Sequence, residues 1–264
     1  MIKGLYASAS AMLNGMNRQT VVSHNIANVN TPGYKTVAVS MEQWEETPVV
    51  PNLKQNMYFP NLPSAFDDNS VRSLKWLGDL GLGVETTPEV TNYEQGSLET
   101  TGEPLDFAIE GPGFFHILTP DGERYTRDGR FLKDNEGNLV TVDGNFVLDT
   151  NGERINLPTG NIEVDNFGRT LVNNEAIAQI GLVEFENTLE DIQRDSSNIF
   201  NAIGTPVEAQ STYMHQSTLE MSNVNIAQAT TQMLSLGRAY EAAQKMMSVH
   251  DGLTETAITY LGRL

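Results

Sequence analysis

The chain of 264 residues contains no cysteine, which excludes disulfide staples, thiol catalysis and cysteine-ligated zinc. Positive charge is scarce: 16 Lys and Arg stand against 34 Asp and Glu, a formal net charge of −18. Such a surface repels a phosphate backbone and anionic lipid, so nucleic acid is not an expected partner. No stretch reaches the ~20 apolar residues of a membrane span. The N-terminus carries Lys3 but no compact apolar run leading to a small-residue cleavage site, so a cleaved secretory signal is not expected. An exported chain of this kind needs a dedicated secretion route. With 39% apolar residues it can still bury a real core, in one large or two small domains.

Signatures of chemistry are equally thin. His24, His116, His215 and His250 sit in four different segments without H-x-x-x-H spacing. Asp134-Asn135-Glu136-Gly137 lacks the alternating ligands and distant Glu of a calcium loop. No G-x-S-x-G elbow occurs, and Gly78, Gly81 and Gly83 have the wrong spacing for a phosphate loop. The expectation is a non-enzyme with no cofactor, no metal and no small-molecule substrate.

What the sequence does contain is two apolar-striped ends. A seven-residue repeat collects Ile2, Ala9, Met16 and Ser23, with Leu5, Met12, Gln19 and Ile26 as its companion position. At the other end it collects Ile226, Met233, Tyr240, Met247, Thr254 and Leu261, with Ala229, Leu236, Ala243, His250, Ala257 and Leu264. A sustained 3.5-residue period keeps one face against a supercoiling partner, so long helices with coiled-coil-like seams are expected. Packing of each helix on the chain's own core is the plainer alternative. Striped ends around a different middle suggest a subunit of a polymer.

Pro32-Gly33 breaks the first helix, after Asn25, Asn28 and Asn30 offer side chains for local capping or for bonds between subunits. Trp44 to Pro63, with four prolines, reads as an extended connector. The middle holds short strand patterns at 105–109, 113–118, 131–133, 139–142, 146–148, 162–164, 170–172 and 178–185, and a short helix over 188–195. Asp121-Gly122, Asp128-Gly129, Glu136-Gly137, Asp143-Gly144 and Asn151-Gly152 recur every seven or eight residues, which predicts tight hairpins of an antiparallel meander. Arg124, Arg127, Arg130 and Lys133 form the one basic cluster, expected as solvated cross-strand partners of Asp and Glu. Contact with an acidic neighbouring subunit is the sharper reading.

Several motifs together resemble the bacterial flagellar rod and hook proteins. They are Ser23 to Lys35, the run Gln95 to Gly102 with Pro104-Leu105-Asp106, Gly111-Pro112-Gly113-Phe114-Phe115, Tyr125-Thr126-Arg127-Asp128-Gly129, and Leu219-Glu220 with Ser222-Asn223-Val224-Asn225. Length and the closing Arg238-Ala239-Tyr240-Glu241 and Gln244-Lys245 are similar to the rod members, distal or proximal. His24 and Pro112 depart from the usual pattern.

The resemblance implies an α+β fold in which paired long terminal helices, residues 1–30 with 224–264, form an inner polymerisation domain. A connector over 31–85, a β-rich outer domain over 86–215 and a return linker over 216–223 complete it. It implies a structural axial subunit of the flagellar rod that transmits torque to hook and filament, located in the basal body. A hook-type subunit, or a secreted β-rich enzyme or carbohydrate-binding module, is the alternative. Implied partners are further copies, other axial proteins, the flagellar type III export apparatus and basal-body ring proteins, with export needing no cleaved signal. The expected assembly interface comprises Leu5, Met12, Met16, Asn25, Asn28, Asn30, Met233, Leu236, Tyr240, Met247 and Leu261.

Overall fold

The computed structural model describes residues 2–43, 47–48, 79–80, 83–158, 160, 162–173, 175–196, 198–209 and 212–262. The expected connector Trp44 to Pro63 lies outside them, apart from Thr47–Pro48, which pairs antiparallel with Asp79–Leu80. Helix α1 spans Ile2–Ala27, α2 spans Thr188–Asp191 and α3 spans Ile226–Leu261, with antiparallel strands between, so the class is α+β. At ~1.5 Å per residue the 36 residues of α3 extend about 54 Å. Asn225 caps it, its Oδ1 accepting from Gln228 N at 3.1 Å.

The chain divides into two compact units. The first holds residues 1–20, 39–88 and 233–264. There Ser10 and the buried Asn14 of α1 hydrogen-bond Val84, at the start of the strand Val84–Thr86 that pairs with Met41–Gln43. Gly4 lies so close to the His250 ring that a Cβ there would approach it to 2.7 Å.

The second unit holds residues 21–38 and 89–232. Among the described residues its main sheet has nine strands: β1 Phe114–Thr119, β2 Gly122–Thr126, β3 Phe131–Lys133, β4 Leu139–Thr141, β5 Phe146–Val147, β6 Leu182–Glu184, β7 Ile192–Arg194, β8 Ile199–Ala202 and β9 Val207–Glu208. They run in the order β3-β4-β5-β1-β2-β8-β7, with β6 joining β9 to β1. Alternation along β1 sends Phe115 and Ile117 into one core with Phe107, Phe131 and Leu139. Phe114 enters a second cluster with Tyr125, Phe185 and Phe200. Burial on both faces explains why β1, Phe-Phe-His-Ile-Leu-Thr, carries apolar residues on both faces rather than on one.

The strand patterns of the middle fall close to their predicted places, with two differences. The expected strand over 178–185 is two, Glu175–Gln179 and β6, separated at Ile180-Gly181 where Ile180 bridges Asp149. The helix expected over 188–195 stops at Asp191 and continues as β7.

The hairpin turns are not of the mirror-image kind. Mirror-image two-residue turns need positive φ at both central residues. Here Gly122, Gly137, Gly144 and Gly152 have positive φ, but among the described non-glycine residues only Asn173 and Ser217 do. At Gly137, Gly144 and Gly152 the glycine N–H donates to the carbonyl three residues back, giving a tight turn followed by a left-handed glycine, the bulged hairpin form. The residue three before the glycine holds the turn. Asp134, Asp149 and Asp165 each accept backbone N–H groups two and four residues on, and Thr141 accepts from Asn145 N. Asp128-Gly129 makes no hairpin: Gly129 O accepts from Phe107 N, and Asp128 ion-pairs with Arg130 at 2.6 Å.

Partial burial opposes ionisation of Asp165. The N–H groups of Arg169 and Phe167 and the Arg169 guanidinium outweigh it and hold the carboxyl below its ordinary 3.8. The stability it supplies is therefore present above pH 3.8 and lost as pH falls through its lower folded value. Asp165→Asn should cost about 1 kcal/mol or less at neutral pH, given its partial exposure. The gap in melting temperature from the parent protein should close on titration below pH 3.8; a gap that persists in acid would refute this account of the turn.

Candidate functional site

The motifs that read as separate signatures converge inside the second unit. At the end of α1, Asn25 Oδ1 accepts from Val37 N and Tyr34 Oη, each at 3.0 Å, and its Nδ2 donates to Val37 O at 2.7 Å. The side chain thus pairs with the Val37 backbone as a neighbouring strand would. Asn28 caps locally, donating to His24 O and accepting from Thr31 Oγ1. Asn30 is exposed. Gly33 turns the chain at φ 71°, and its N–H donates to Glu220 O at 2.8 Å. A Cβ there would strike the Arg127-Asp128 backbone, so both conformation and space require glycine.

Behind this turn lies a buried charge cluster. Glu220 accepts from Lys35 Nζ at 2.6 Å, Arg127 Nη1 at 3.1 Å and Gly96 N at 2.9 Å, with Lys35 and Glu220 each 1% exposed and Arg127 3%. Lys35 also donates to Glu94 O. Arg127 donates to Gly111 O at 2.6 Å and lies over the Phe114 ring. Burial pushes both cations below their ordinary values; Glu220 opposes this for each, and for Lys35 the nearby Arg127 adds to it. Three residues further on, Asn223 Oδ1 accepts from Thr36 N and Oγ1, while its Nδ2 donates to Asn92 O and Glu94 O. The exit of α1 and the approach to α3 are locked to one another through residues about 185 positions apart.

Of the expected basic cluster, Arg124 pairs with Asp195, Arg130 with Asp128, and Lys133 donates to Pro158 O, all at or near the surface. Arg127 corrects the expectation. It is buried, because Glu220 and the Phe114 ring offer a charge-paired site that no local spacing foretells.

The expected assembly residues divide differently. Leu5, Met12, Met233, Tyr240 and Met247 are half-buried, Leu236 is buried and Met16 is exposed; the Leu261 side chain is outside the described residues. Along α3 the less exposed positions are Ala229, Met233, Leu236, Tyr240, Ala243, Met247, His250 and Ala257, which follow the predicted seven-residue stripe, with Gly237 beside it. Large apolar side chains elsewhere on the helices stand in solvent: Tyr6 and Leu13 on α1, and Leu234, Met246, Val249, Leu253, Ile258 and Tyr260 on α3. No group of three or more His, Asp or Glu that could hold a metal occurs among the described residues.

Family profiles match along the chain: "Flagella basal body rod protein" over residues 5–35, "Flagellar hook protein FlgE/F/G D1 domain" over 108–184 and "Flagellar basal body rod FlgEFG protein C-terminal" over 215–259. A β-rich unit joined to two long terminal helices, carrying these three matches in order, defines a structural axial protein of the bacterial flagellum. More narrowly, the chain belongs to the flagellar basal-body rod proteins. It is 31% identical to the basal-body rod protein FlgF of Caulobacter vibrioides, over 100% of both chains. It is 29% identical to FlgG of Bacillus subtilis over 98% of each, and 30% identical to FlgG of Buchnera aphidicola subsp. Schizaphis graminum over 97% of this chain and 98% of the relative.

The charge cluster has a testable asymmetry, one carboxylate at hydrogen-bond distance from two cations. Glu220→Gln leaves both cations buried without that partner and should cost about 3–5 kcal/mol. Lys35→Met leaves the Arg127–Glu220 pair intact and should cost only about 1–2 kcal/mol. Urea unfolding of the two variants decides it; equal losses would contradict the role given to Glu220.

Proposed function

We propose that this rod subunit polymerises through residues 1–30 and 224–264, its two helices pairing along the seam of Leu5, Met12, Met16, Met233, Leu236, Tyr240, Met247 and Leu261. The β-rich residues 86–215 then face outward, 31–85 connect, and 216–223 return the chain to α3. Asn25, Asn28 and Asn30 enter the interface through the motif they order. The assembled shaft carries torque to hook and filament. The observation that carries this reading is the row of large apolar side chains standing in solvent on both helices of a single chain, on a protein of net charge −18. Family membership supports association with other axial proteins; we extend this to ring proteins and to export by the flagellar type III apparatus without a cleaved signal.

Leu236 is buried on the seam, so Leu236→Asp places a charge where the helices are to meet. Cells with this variant as sole copy should lack rods and not swim, while the purified protein keeps the dispersed amide signals of the β-rich unit. Normal rods would refute assembly through this seam.

A further inference from the structure

The turn after Leu148 brings together two groups that react with one another when nothing restrains them. In an Asn-Gly pair the glycine nitrogen can attack the asparagine Cγ, because the second residue has no side chain to block the approach. The sequence contains this pair twice, at Asn14-Gly15 and Asn151-Gly152. The first is closed. It lies inside α1, where Asn14 is buried and its Nδ2 donates to Ser10 O at 2.9 Å and to Val84 O. The second is exposed, in the turn between the bridged residues Leu148 and Arg154, and a Cβ on Gly152 would meet nothing within 4 Å.

Three hydrogen bonds to a single residue hold the second pair. Asp149 O accepts from Gly152 N at 3.1 Å, Asp149 Oδ1 from Asn151 N at 2.8 Å, and Asp149 Oδ2 from Asn151 Nδ2 at 3.1 Å. The attacking nitrogen must give up its proton, and here a carbonyl holds that N–H. The amide under attack is drawn back toward residue 149, away from Gly152. The Asp149 carboxylate also opposes the negative charge that builds on the nitrogen, and then on the Asn151 oxygen, as the bond forms. We propose that Asn151 is a site of spontaneous deamidation in this protein and that Asp149 is the brake that sets its rate in the folded chain.

Water is the one co-reactant. Gly152 N loses its proton to solvent and bonds to Asn151 Cγ; the Cγ–Nδ2 bond breaks, and Nδ2 leaves as ammonia after taking a proton from solvent. Water then opens the cyclic succinimide at either carbonyl, giving aspartate or an isoaspartate whose main chain runs through Cγ. Either product adds one negative charge to a chain of −18. It puts a carboxylate where an amide donated to Asp149 Oδ2, in the wall of a cavity of about 420 Å³ that Glu123 and Glu208 also line. Isoaspartate further lengthens the main chain by one carbon within a turn flanked by the buried Leu148 and Ile155. The modified chain should therefore melt below its parent.

A neighbouring turn supplies the test variant. There Thr141 takes the place of Asp149, accepting from Asn145 N, so threonine holds a turn of this kind without a carboxylate. The full-length parent and Asp149→Thr are incubated in mildly alkaline buffer, folded and in urea, with Asp149→Asn beside them as a second variant that keeps one acceptor and loses the charge. Mass spectrometry of the digested chains reads amide against acid at residue 151, with Asn14 as the internal control that stays amide while folded. The folded parent should convert on the order of tenfold more slowly than the unfolded chain, because attack waits on opening of the turn. Both folded variants, with circular dichroism like the parent's, should close most of that gap. Equal rates in the folded and unfolded parent, or folded variants that convert as slowly as the folded parent, would overturn the brake. A folded parent that forms no acid at residue 151, over many times the period that converts the unfolded chain, would overturn the site itself.

Discussion

Everything distinctive about the second unit depends on the Glu220 carboxylate, buried with Lys35 and Arg127 against it. Removing three charges from water is costly, and the arrangement persists only because nearly every atom involved is spoken for by groups from distant segments. Gly96 N, Glu94 O and Gly111 O complete the cluster, and the backbone carbonyl of Glu220 takes the N–H of Gly33. A hydrophobic plug of equal volume would pack as well without demanding these particular neighbours. The charged version permits one register: the turn after α1, the strand Leu98–Thr100 paired to Thr218–Glu220, and β2 must all be in place together.

That demand has a consequence at the two chain ends. Residues 21–27 of α1 and 226–232 of α3 belong to the same unit as the cluster. Asn25, Gly33 and Lys35 fix where the first helix ends; Glu220, Asn223 and the Asn225 cap fix where the last one begins. The unit thus orders both junctions from its own interior, using groups already satisfied within one chain. Asn25 illustrates the division: its amide bonds Val37 and Tyr34 of the same chain, and so shapes the motif from within.

How much of this was legible in the sequence follows from the range over which each interaction acts. The seven-residue stripe Met233, Leu236, Tyr240, Ala243 and Met247 was readable because helical periodicity is local, and these are the sheltered positions of α3. Strand positions such as Phe131–Lys133 and Ile162–Val164 were readable for the same reason. The glycine that marks each hairpin is visible in the sequence, but the form of the turn is set together with the acceptor three residues earlier, Asp134 or Asp149. The charge cluster was not legible at all. Lys35, Arg127 and Glu220 were each quoted within a motif, but nothing in spacing pairs residues 93 and 185 positions apart. Nor does periodicity say which apolar side chains of α3 are sheltered, as Leu236 is, and which stand in solvent, as Met246 and Leu253 do.

The protein therefore inverts the usual placement of polar and apolar groups at its two most consequential sites. Charges lie inside the second unit, where they enforce a single arrangement, and large apolar side chains lie outside on the helices, where a single chain gains nothing from them. Such exposure is a liability for a free monomer, and the net charge of −18 opposes it: like-charged copies repel over the distance at which chains first meet. The opposition is uneven. The five charges of α3 fall within about 140° of its circumference at ~100° per residue, so repulsion acts at long range while the rest of the helix surface stays uncharged for contact at short range. On the polymerisation reading proposed above, repulsion at long range keeps free subunits apart, and the apolar surface of the helices is covered only where a growing end offers several neighbours at once.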